Sequence, residues 1–377
     1  MKIGQYIRSC PWGDLSPTTM KETGLGGRET ALLQLGENWA KSGHEVINFV
    51  PIETPEKTEY ENGGVVYYVP AKDIIPYCRN FGLDVLVSWE EAGAFEVPDI
   101  IDNVKLKVIE MQVAHLNSDE KTDVNIDYYA VLSNWAGEFL KDQNPYIADE
   151  KVVVFPNGVD LGRYENGEPE AASQGKSFYY SSSPDRGLIH LLDMWPKIRE
   201  RYPEAILHVA YGIEKWVEAV KWSHNMQAEM AIDIVEGLKQ DGVIYHGKIG
   251  QDELAKIQQT CTALLYPCDT MSPTETGCIT VVEAGAAGCP AVITDCDCLG
   301  SEFGHIYPSI NLPFDEAKYL AVLFDLLEDE KYFESVKLNG YKLADSREWS
   351  YIASQWLEFF NEKLYEIRET ETNGAIA

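Results

Sequence analysis

The sequence predicts an α/β fold built from two Rossmann-like, doubly wound domains, and three observations lead to this prediction. Short apolar strand patterns alternate with helical patterns along residues 1–165. The alternation stops at a polar, turn-rich segment, 166–177, and then restarts. The length of 377 residues is too great for one ordinary core and fits two domains of roughly 100–200 residues each. Strand–helix alternation of this kind is typical of parallel sheets covered on both faces.

The first half begins with a predicted strand at 2–7 and a Gly-rich loop ending in "TGLGGRE" (23–29). The helical pattern "TALLQLGENWAKSG" follows and ends at Gly43, because glycine commonly ends helices. The further predicted elements of this half are strands at 44–50, 64–70, 84–89, 105–115 and 127–133, with helices at 72–80 and over "NWAGEFLKD".

The second half repeats the pattern and ends in an amphipathic helix, "SYIASQWLEFFNEKLYEIRET". Its predicted strands are "SFYYSSS", "AILHVAYG", "GVIYHG", "ALLYP" and "PAVITD", and its helices cover 187–201, 213–239, 251–260 and 280–288. The predicted domains are therefore 1–165, 166–345 and a terminal helical segment at 346–377. In such sheets ligands bind at the carboxyl ends of the strands, which here would face a cleft between the domains.

Composition limits the classes of partner. Sixty-one acidic and 31 basic residues give a net charge of −30, which repels polyanions such as duplex DNA and anionic membranes. A local basic groove could still admit a nucleic-acid acceptor. The eight cysteines lack the paired spacing of a zinc site, and the first residues lack the pattern of a signal peptide. With no apolar run long enough to span a membrane, we expect a cytoplasmic protein with reduced thiols.

Two candidate sites lie in the first half. Gly26 and Gly27 sit between a strand and a helix, where they allow close approach of the backbone to a phosphate or sugar. A plain turn explains them equally well. His115 follows the strand "VIEMQVA", at the edge where a parallel sheet delivers side chains to ligands, although a structural histidine is the alternative.

The second half supplies the charged candidates. Arg186, in "SSSPDRG", lies at a strand-to-helix junction where a guanidinium can meet a diphosphate, with an ordinary surface arginine as the alternative. Asp295 and Asp297, in "DCDCLG", have a spacing that can hold a divalent metal, but this pattern is frequent by chance. We therefore expect no metal and no other cofactor.

The stretch "TETGCITVVEAG" (274–285) places two glutamates eight residues apart. Glu275 precedes a predicted helix start, and Glu283 lies about one turn inside the helix. Free backbone N–H groups near Ile279 and Thr280 lie between them and suit the negative charge of a leaving diphosphate.

These motifs together resemble the retaining glycosyltransferases of the GT-B fold, family four (glycosyl transferases group 1). The resemblance rests on "GLGGRE", "GHEV", "VLSNW", "FPNGVD", "HGKIGQDEL" and, above all, the E-x7-E pattern with "VVEAGAAGCPAVITD". It extends to "REWSYIASQWLEFF", which is similar to the family's terminal helix that crosses back onto the N-terminal domain. The resemblance implies an N-terminal acceptor-binding domain and a C-terminal domain that binds a nucleotide-sugar, with UDP-sugar preferred.

The same resemblance implies a role for each candidate residue. His115, Arg186 and Glu275 would act in catalysis, with His115 near the reacting carbon and Glu275 on the donor sugar's hydroxyls. Glu283 would bind the ribose, and Arg186 would occupy the place of the family's phosphate-binding lysine. The implied donor-binding residues are Gly26, Gly27, Arg186, Glu275, Gly277, Cys278, Ile279, Thr280 and Glu283.

Two departures from the family pattern bear on the donor. Ser181 stands where the family usually has an arginine, and Glu275-Thr276-Gly277-Cys278 replaces Glu-x-Phe-Gly. The acceptor stays open among polysaccharide, lipid, protein, small molecule and a hydroxymethylated DNA base, and the oligomeric state stays open too. Two other functions are compatible with the sequence, namely a sugar-nucleotide 2-epimerase-like enzyme and a non-catalytic sugar-nucleotide-binding subunit.

Overall fold

The computed structural model describes residues 1–116, 118–165, 176–220, 226–270 and 272–374. The chain divides into two compact units. The first unit contains Met1–Met20, Leu25–Gly158 and Trp349–Ala377, and the second contains Lys21–Gly24 and Val159–Glu348.

The first unit is built on a sheet of eight strands in the order β3-β4-β2-β1-β5-β6-β7-β8. All neighbouring strands are parallel except β3, which pairs antiparallel with β4 at the edge. The strands are β1 (Lys2–Tyr6), β2 (Glu45–Val50), β3 (Glu56–Glu59), β4 (Val65–Pro70), β5 (Leu83–Trp89), β6 (Val104–Met111), β7 (Tyr128–Val131) and β8 (Val152–Val154).

The second unit contains an all-parallel sheet of six strands in the order β11-β10-β9-β12-β13-β14. The order of both sheets reverses direction along the chain, as in doubly wound folds. The strands are β9 (Ser177–Tyr180), β10 (Ile206–Ala210), β11 (Val243–Gly247), β12 (Ala263–Tyr266), β13 (Ala291–Thr294) and β14 (Ser309–Ile310).

Helices connect most of these strands, which gives the βαβ units that the sequence predicts. Within the described ranges, no helix is both long and apolar enough to cross a membrane. The helices are α1 (Pro17–Thr23), α2 (Gly27–Lys41), α3 (Ile74–Phe81), α4 (Pro98–Ile101), α5 (Glu120–Asp123), α6 (Asn134–Gln143), α7 (Leu188–Arg201), α8 (Ile213–Val220), α9 (Met226–Gly237), α10 (Gln251–Thr260), α11 (Ile279–Ala286), α12 (Cys298–Phe303), α13 (Glu316–Glu328), α14 (Glu330–Asp345) and α15 (Trp349–Gly374).

The terminal helix α15 belongs to the first unit and is fixed there by aromatic side chains. The Trp356 ring lies 6.0 Å from Trp39 of α2 and stacks on Phe155 at a centroid distance of 4.2 Å. Phe360 also meets Trp39, edge to face at 5.4 Å. Because these large rings are buried or partly buried, the helix adds to the hydrophobic core of the unit.

The central strands show why the chain forms parallel sheets. All residues of β5 except Asp84 are buried, and every residue of β12 and β13 is buried. Continuous apolar burial is typical of strands that are covered by helices on both faces. The carboxyl ends of these strands carry the polar side chains described below.

Some element boundaries differ from the predictions. The strand predicted over 105–115 ends at Met111, because pairing with β7 stops there. The single helix predicted over 213–239 is present as α8 and α9, and 221–225 lie outside the described residues. Most of the predicted linker, 166–175, also lies outside them. Helices α13 and α14 were not predicted, although Asp315 and Asp329 cap them in the usual way.

The boundary between the two compact units lies between Gly158 and Val159. The predicted boundary, at 165–166, lies several residues later. The backbone N–H of Val159 donates to the carbonyl oxygen of Arg347 at 2.7 Å. This contact joins the chain to the end of the second unit before the polar segment begins. The second boundary falls at Glu348 rather than 345.

Candidate active site

A contact between Arg186 and Glu275 forms the centre of the candidate site in the second unit. Arg186 lies between β9 and α7, and Glu275 lies in the loop between β12 and α11. Nη1 of Arg186 is 2.5 Å from Oε1 of Glu275, and the Tyr266 hydroxyl donates to the same oxygen at 2.7 Å. Glu275 is 1% exposed, whereas the Arg186 side chain is 30% exposed. The guanidinium therefore connects a buried carboxylate with the solvent-accessible surface of the unit.

Arg186 stays protonated in this environment. Burial alone would lower the pKa of Arg186, but the Glu275 carboxylate outweighs this effect and raises the pKa above its ordinary value. The next residue, Gly187, has φ of 86°, and a Cβ atom there would collide with the Pro267 carbonyl group. Glycine thus allows the start of α7 to lie against the end of β12, beside the arginine.

Asp297 holds the loop that carries Glu275. Its Oδ2 atom accepts the backbone N–H groups of Thr274 at 2.8 Å and Glu275 at 3.0 Å. The backbone N–H of Cys298 donates to the carbonyl oxygen of Glu275 at 3.1 Å. The second aspartate of "DCDCLG" therefore fixes a loop. Within the residues that the structure describes, no group of three or more His, Cys, Asp or Glu is placed to hold a metal ion.

Helix α11 begins at Ile279, where the sequence predicts a helix start, and Cys278 is its N-cap residue. The Thr280 hydroxyl is 2.6 Å from the Ser181 hydroxyl, so Ser181 contacts this first turn. Burial raises the pKa of the Cys278 thiol, which keeps it neutral and a poor nucleophile. The first turn thus offers uncharged side chains and backbone N–H groups to an anion. Gly277 precedes it, partly exposed.

Glu283 belongs to a second hydrogen-bonded network. It is 8% exposed, and its Oε2 atom accepts from Nε2 of Gln258 at 3.4 Å. The Tyr164 hydroxyl donates in turn to Oε1 of Gln258 at 2.7 Å. Burial raises the pKa of Glu283, against the opposing effect of nearby Arg163. The two glutamates of the E-x7-E pattern therefore have different partners.

The other predicted residues lie in the first unit. Gly26 is the N-cap residue of α2, and Gly27 is its first residue. A Cβ atom on Gly26 would lie 2.6 Å from Oε2 of Glu29, so the glycine also makes room for that carboxylate. His115 is exposed, four residues beyond the end of β6, and its ring meets Phe139 edge to face at 5.5 Å. The structure thus brings Arg186 and Glu275 into contact and assigns Gly26, Gly27 and His115 to the other unit.

Sequence reasoning missed several residues of these networks. Tyr266 lies in the apolar run "ALLYP", where a tyrosine is interpreted as an ordinary core residue. Gln258 is a buried residue of a helix that contains both polar and apolar residues. Asp297 was considered only as a metal ligand. Tyr266 places a hydroxyl group in an apolar run, which indicates a buried polar atom that requires a partner, whereas the residues around Gln258 carry no such signal.

Known proteins resemble this chain in sequence and in fold. Residues 177–342 match the family model described as glycosyl transferases group 1. A phosphatidyl-myo-inositol mannosyltransferase from Mycobacterium tuberculosis is 27% identical over 224 residues, which are 55% of this chain and 53% of that protein. The corresponding protein of Mycobacterium bovis matches equally well. The chain thus spans about half the length of the curated relatives it matches.

Solved structures resemble nearly the whole chain in fold. Sucrose-phosphate synthase from Thermosynechococcus elongatus aligns with a TM-score of 0.69 at 14% identity, covering 96% of this chain and 98% of that chain. HepE from Anabaena, solved with UDP and glucose, has a TM-score of 0.66 at 15% identity, covering 96% and 100%. The two-sheet topology and the solved structures together show that this chain has the GT-B fold, and the match to the glycosyl transferases group 1 model lies within its second unit.

Proposed function

We propose that this chain is a retaining glycosyltransferase that moves a sugar from a nucleotide-diphosphate sugar to an acceptor hydroxyl group. The observation that carries the proposal is the contact between Arg186 and Glu275, in the unit that also presents the start of α11. It combines a permanent cation with a buried hydrogen-bond acceptor, the two features that a sugar diphosphate needs. The retaining outcome rests on the resemblance to family four.

The chemistry of the reaction explains why the cation is useful. When the glycosidic bond to phosphate breaks, positive charge develops on the sugar ring and negative charge on the diphosphate. Arg186 and the N–H groups near Ile279 and Thr280 would stabilise the diphosphate, and this effect grows in the transition state. We propose attack on the same face of the sugar, with the departing phosphate accepting the acceptor's proton and no metal ion taking part.

The separate networks support separate roles for the two glutamates. Glu275, held by Arg186 and Tyr266, would accept hydrogen bonds from the sugar hydroxyls. Glu283, held through Gln258, would accept hydrogen bonds from the ribose. A carboxylate suits both tasks because each of its oxygens accepts more than one hydrogen bond.

The relatives guide the choice of donors and acceptors to test. HepE was solved with UDP and glucose, and the curated relatives are named as mannosyltransferases acting on phosphatidyl-myo-inositol. We propose a UDP-sugar as the donor, with glucosyl and mannosyl donors of other nucleotides as comparisons. The acceptor classes to compare are polysaccharides, lipids, proteins, small molecules and hydroxymethylated DNA.

A donor-hydrolysis screen tests the proposal without an acceptor. The protein is incubated with UDP-, GDP-, ADP- and dTDP-sugars, and release of the nucleoside diphosphate is measured together with donor binding by calorimetry. We expect slow hydrolysis of at least one donor, with NMR showing an unchanged anomeric configuration in the first product. No binding of any nucleotide-sugar would refute the proposal. Binding without turnover across all acceptor classes would instead favour the non-catalytic subunit.

A further inference from the structure

The contact between Arg186 and Glu275 occupies the guanidinium that the proposed reaction assigns to the diphosphate. Nη1 of Arg186 is 2.5 Å from Oε1 of Glu275, and Nη2 is 3.5 Å from the carbonyl oxygen of Thr274. A diphosphate must therefore compete with a carboxylate for the same cation. Glu275 is 1% exposed, so water does not readily replace the arginine once the diphosphate has taken it.

Tyr266 gives Glu275 a second hydrogen bond that does not depend on Arg186. The Tyr266 hydroxyl donates to Oε1 of Glu275 at 2.7 Å, and its oxygen lies 3.0 Å from the Ser182 hydroxyl. Because the phenol gives its one proton to the carboxylate, the Ser182 hydroxyl donates to Tyr266. Burial raises the pKa of Tyr266 well above its ordinary value, so the hydroxyl remains a donor. A buried chain of hydrogen bonds thus runs from Ser182 through Tyr266 to Glu275.

Hydrogen bonds fix the backbone at both ends of the contact between Arg186 and Glu275. The Tyr180 hydroxyl lies 2.6 Å from the carbonyl oxygen of Ser183 and 3.1 Å from that of Arg186. At the other end, Asp297 accepts the backbone N–H of Glu275 at 3.0 Å. The Arg186 side chain is 30% exposed, so a phosphate can approach the guanidinium from solvent. The guanidinium can therefore change partners without movement of the loop that carries the carboxylate.

We infer that Tyr266 is a positioning residue, which keeps Glu275 in place while Arg186 moves from the carboxylate to the diphosphate. This inference rests on the proposed function, because it takes Arg186 to be the group that binds the diphosphate. In the free protein, Oε1 of Glu275 has two donors, and in the complex it keeps the neutral donor and loses the charged one. The free energy of releasing Arg186 then depends on the hydrogen bond from Tyr266. Tyr266 thus sets the affinity for the diphosphate from a buried position.

Tyr179 offers a matched control for Tyr266. It lies in β9, which pairs with the strand β12 that contains Tyr266, and both side chains are buried. The Tyr179 hydroxyl has no hydrogen-bond partner among the residues that the structure describes. Replacing either tyrosine by phenylalanine therefore removes one buried hydroxyl from the same sheet, but the change at Tyr266 also removes a hydrogen bond to Glu275.

Calorimetry on the complete chain compares a nucleoside diphosphate with the nucleoside of the same base, for whichever of UDP, GDP, ADP and dTDP binds the wild-type protein. Tyr266→Phe should weaken the binding of the diphosphate by roughly fivefold or more, because release of Arg186 then deprives Oε1 of Glu275 of its remaining donor. The binding of the nucleoside should not change, since the nucleoside has no phosphate to attract Arg186. Tyr179→Phe should change neither affinity.

Two results of this comparison would overturn the inference. An unchanged affinity of Tyr266→Phe for the diphosphate would show that the tyrosine does not affect the release of Arg186. Equal losses for the diphosphate and the nucleoside would show a general disturbance of the unit, which is what a purely structural role predicts.

A double-mutant cycle tests whether Tyr266 acts through Glu275. In the Glu275→Gln background no charged carboxylate holds Arg186, so adding Tyr266→Phe should leave the affinity for the diphosphate unchanged. A loss of the same size in the wild-type and Glu275→Gln backgrounds would show that the tyrosine acts independently of the carboxylate, and the inference would be wrong.

The donor screen separates this inference from the proposed function. If the wild-type protein hydrolyses a nucleotide-sugar and Tyr266→Phe binds the diphosphate normally, the inference fails and the proposed function stands. If Tyr266→Phe weakens only the diphosphate and the wild-type protein turns over no donor with any acceptor, the transferase proposal fails and the role of Tyr266 stands. If the wild-type protein binds no nucleoside diphosphate, both fail.

Discussion

Replacing Arg186 by alanine should reduce both activity and stability, because one side chain serves both. Glu275 is 1% exposed and would keep its hydrogen bond from Tyr266 while losing its counter-charge. Breaking a fully buried pair costs about 3–5 kcal/mol. Since the Arg186 side chain is 30% exposed, water compensates in part, and we expect the free energy of unfolding to fall by about 1–3 kcal/mol.

The effect on the reaction should be larger than this loss of stability suggests. A preorganised group that stabilises charge in the transition state typically contributes about 2.7–4 kcal/mol to lowering the barrier. The corresponding loss in kcat/KM is about 100-fold or more. The Arg186→Lys variant keeps a point charge at the same place and should retain much more activity than the alanine variant.

The assay is donor hydrolysis, measured well below the unfolding temperature of each variant. Arg201→Ala is the matched control, because Arg201 pairs with Glu328 on the exposed surface of the same unit. It should leave kcat/KM unchanged. Near-normal kcat/KM in Arg186→Ala would remove this residue from the mechanism. An equal loss in the alanine and lysine variants would show that charge alone is not what matters.

Further predictions concern ligand binding, metal dependence and pH. Glu283→Ala should weaken the binding of free nucleoside diphosphate and of the intact donor about equally, by roughly 10-fold or more. Glu275→Ala should weaken only the binding of the intact donor. Calorimetry measures the affinity of both variants for both ligands. If the two variants lose the same affinity for the same ligand, the proposed division of roles between the glutamates is contradicted. Chelator should change the rate by less than about twofold if no metal takes part, and a loss restored by Mg²⁺ would promote Asp297 to a metal ligand. Burial raises the pKa of Glu110, so the native state holds a proton that the unfolded chain releases, and stability should fall as pH rises above the ordinary carboxyl pKa of 4.5. Glu110→Gln should flatten this slope in urea unfolding, and an unchanged slope would assign the loss to other groups.

Much of the fold could be predicted from the sequence because its signals are local. The apolar runs at 44–50 and 84–89 and the helix start at Ile279 agree with the structure to within one or two residues. The predicted end of β6 was wrong, because the sequence "VIEMQVAH" continues the strand pattern although the pairing with β7 stops at Met111. Where a strand ends depends on its neighbour's length, which the strand's own residues do not encode.

The candidate site was predictable where a motif has unusual residue types. Two glutamates in an apolar segment and an arginine before a helix stand out, and the structure brings Arg186 and Glu275 to 2.5 Å. The partners of these residues were not predictable, since Tyr266 and Gln258 look like ordinary core and helix residues. Contacts between distant segments are a property of the fold, so a single sequence gives no direct sign of them.

Positive backbone φ angles occur at two acidic residues, one in each unit. Among the described residues, the non-glycine residues with positive φ are Glu90, at 62°, and Asp297, at 50°. Such a conformation costs on the order of 1–3 kcal/mol and persists only where the surrounding structure fixes it. Asp297 is fixed because its carboxylate holds the backbone of Thr274 and Glu275. Glu90 is fixed by Arg28 and by its backbone hydrogen bond to Glu110, at 3.0 Å. A glycine would relieve the strain at either position but would remove the carboxylate, so the strain is retained where an acidic side chain must point in one direction.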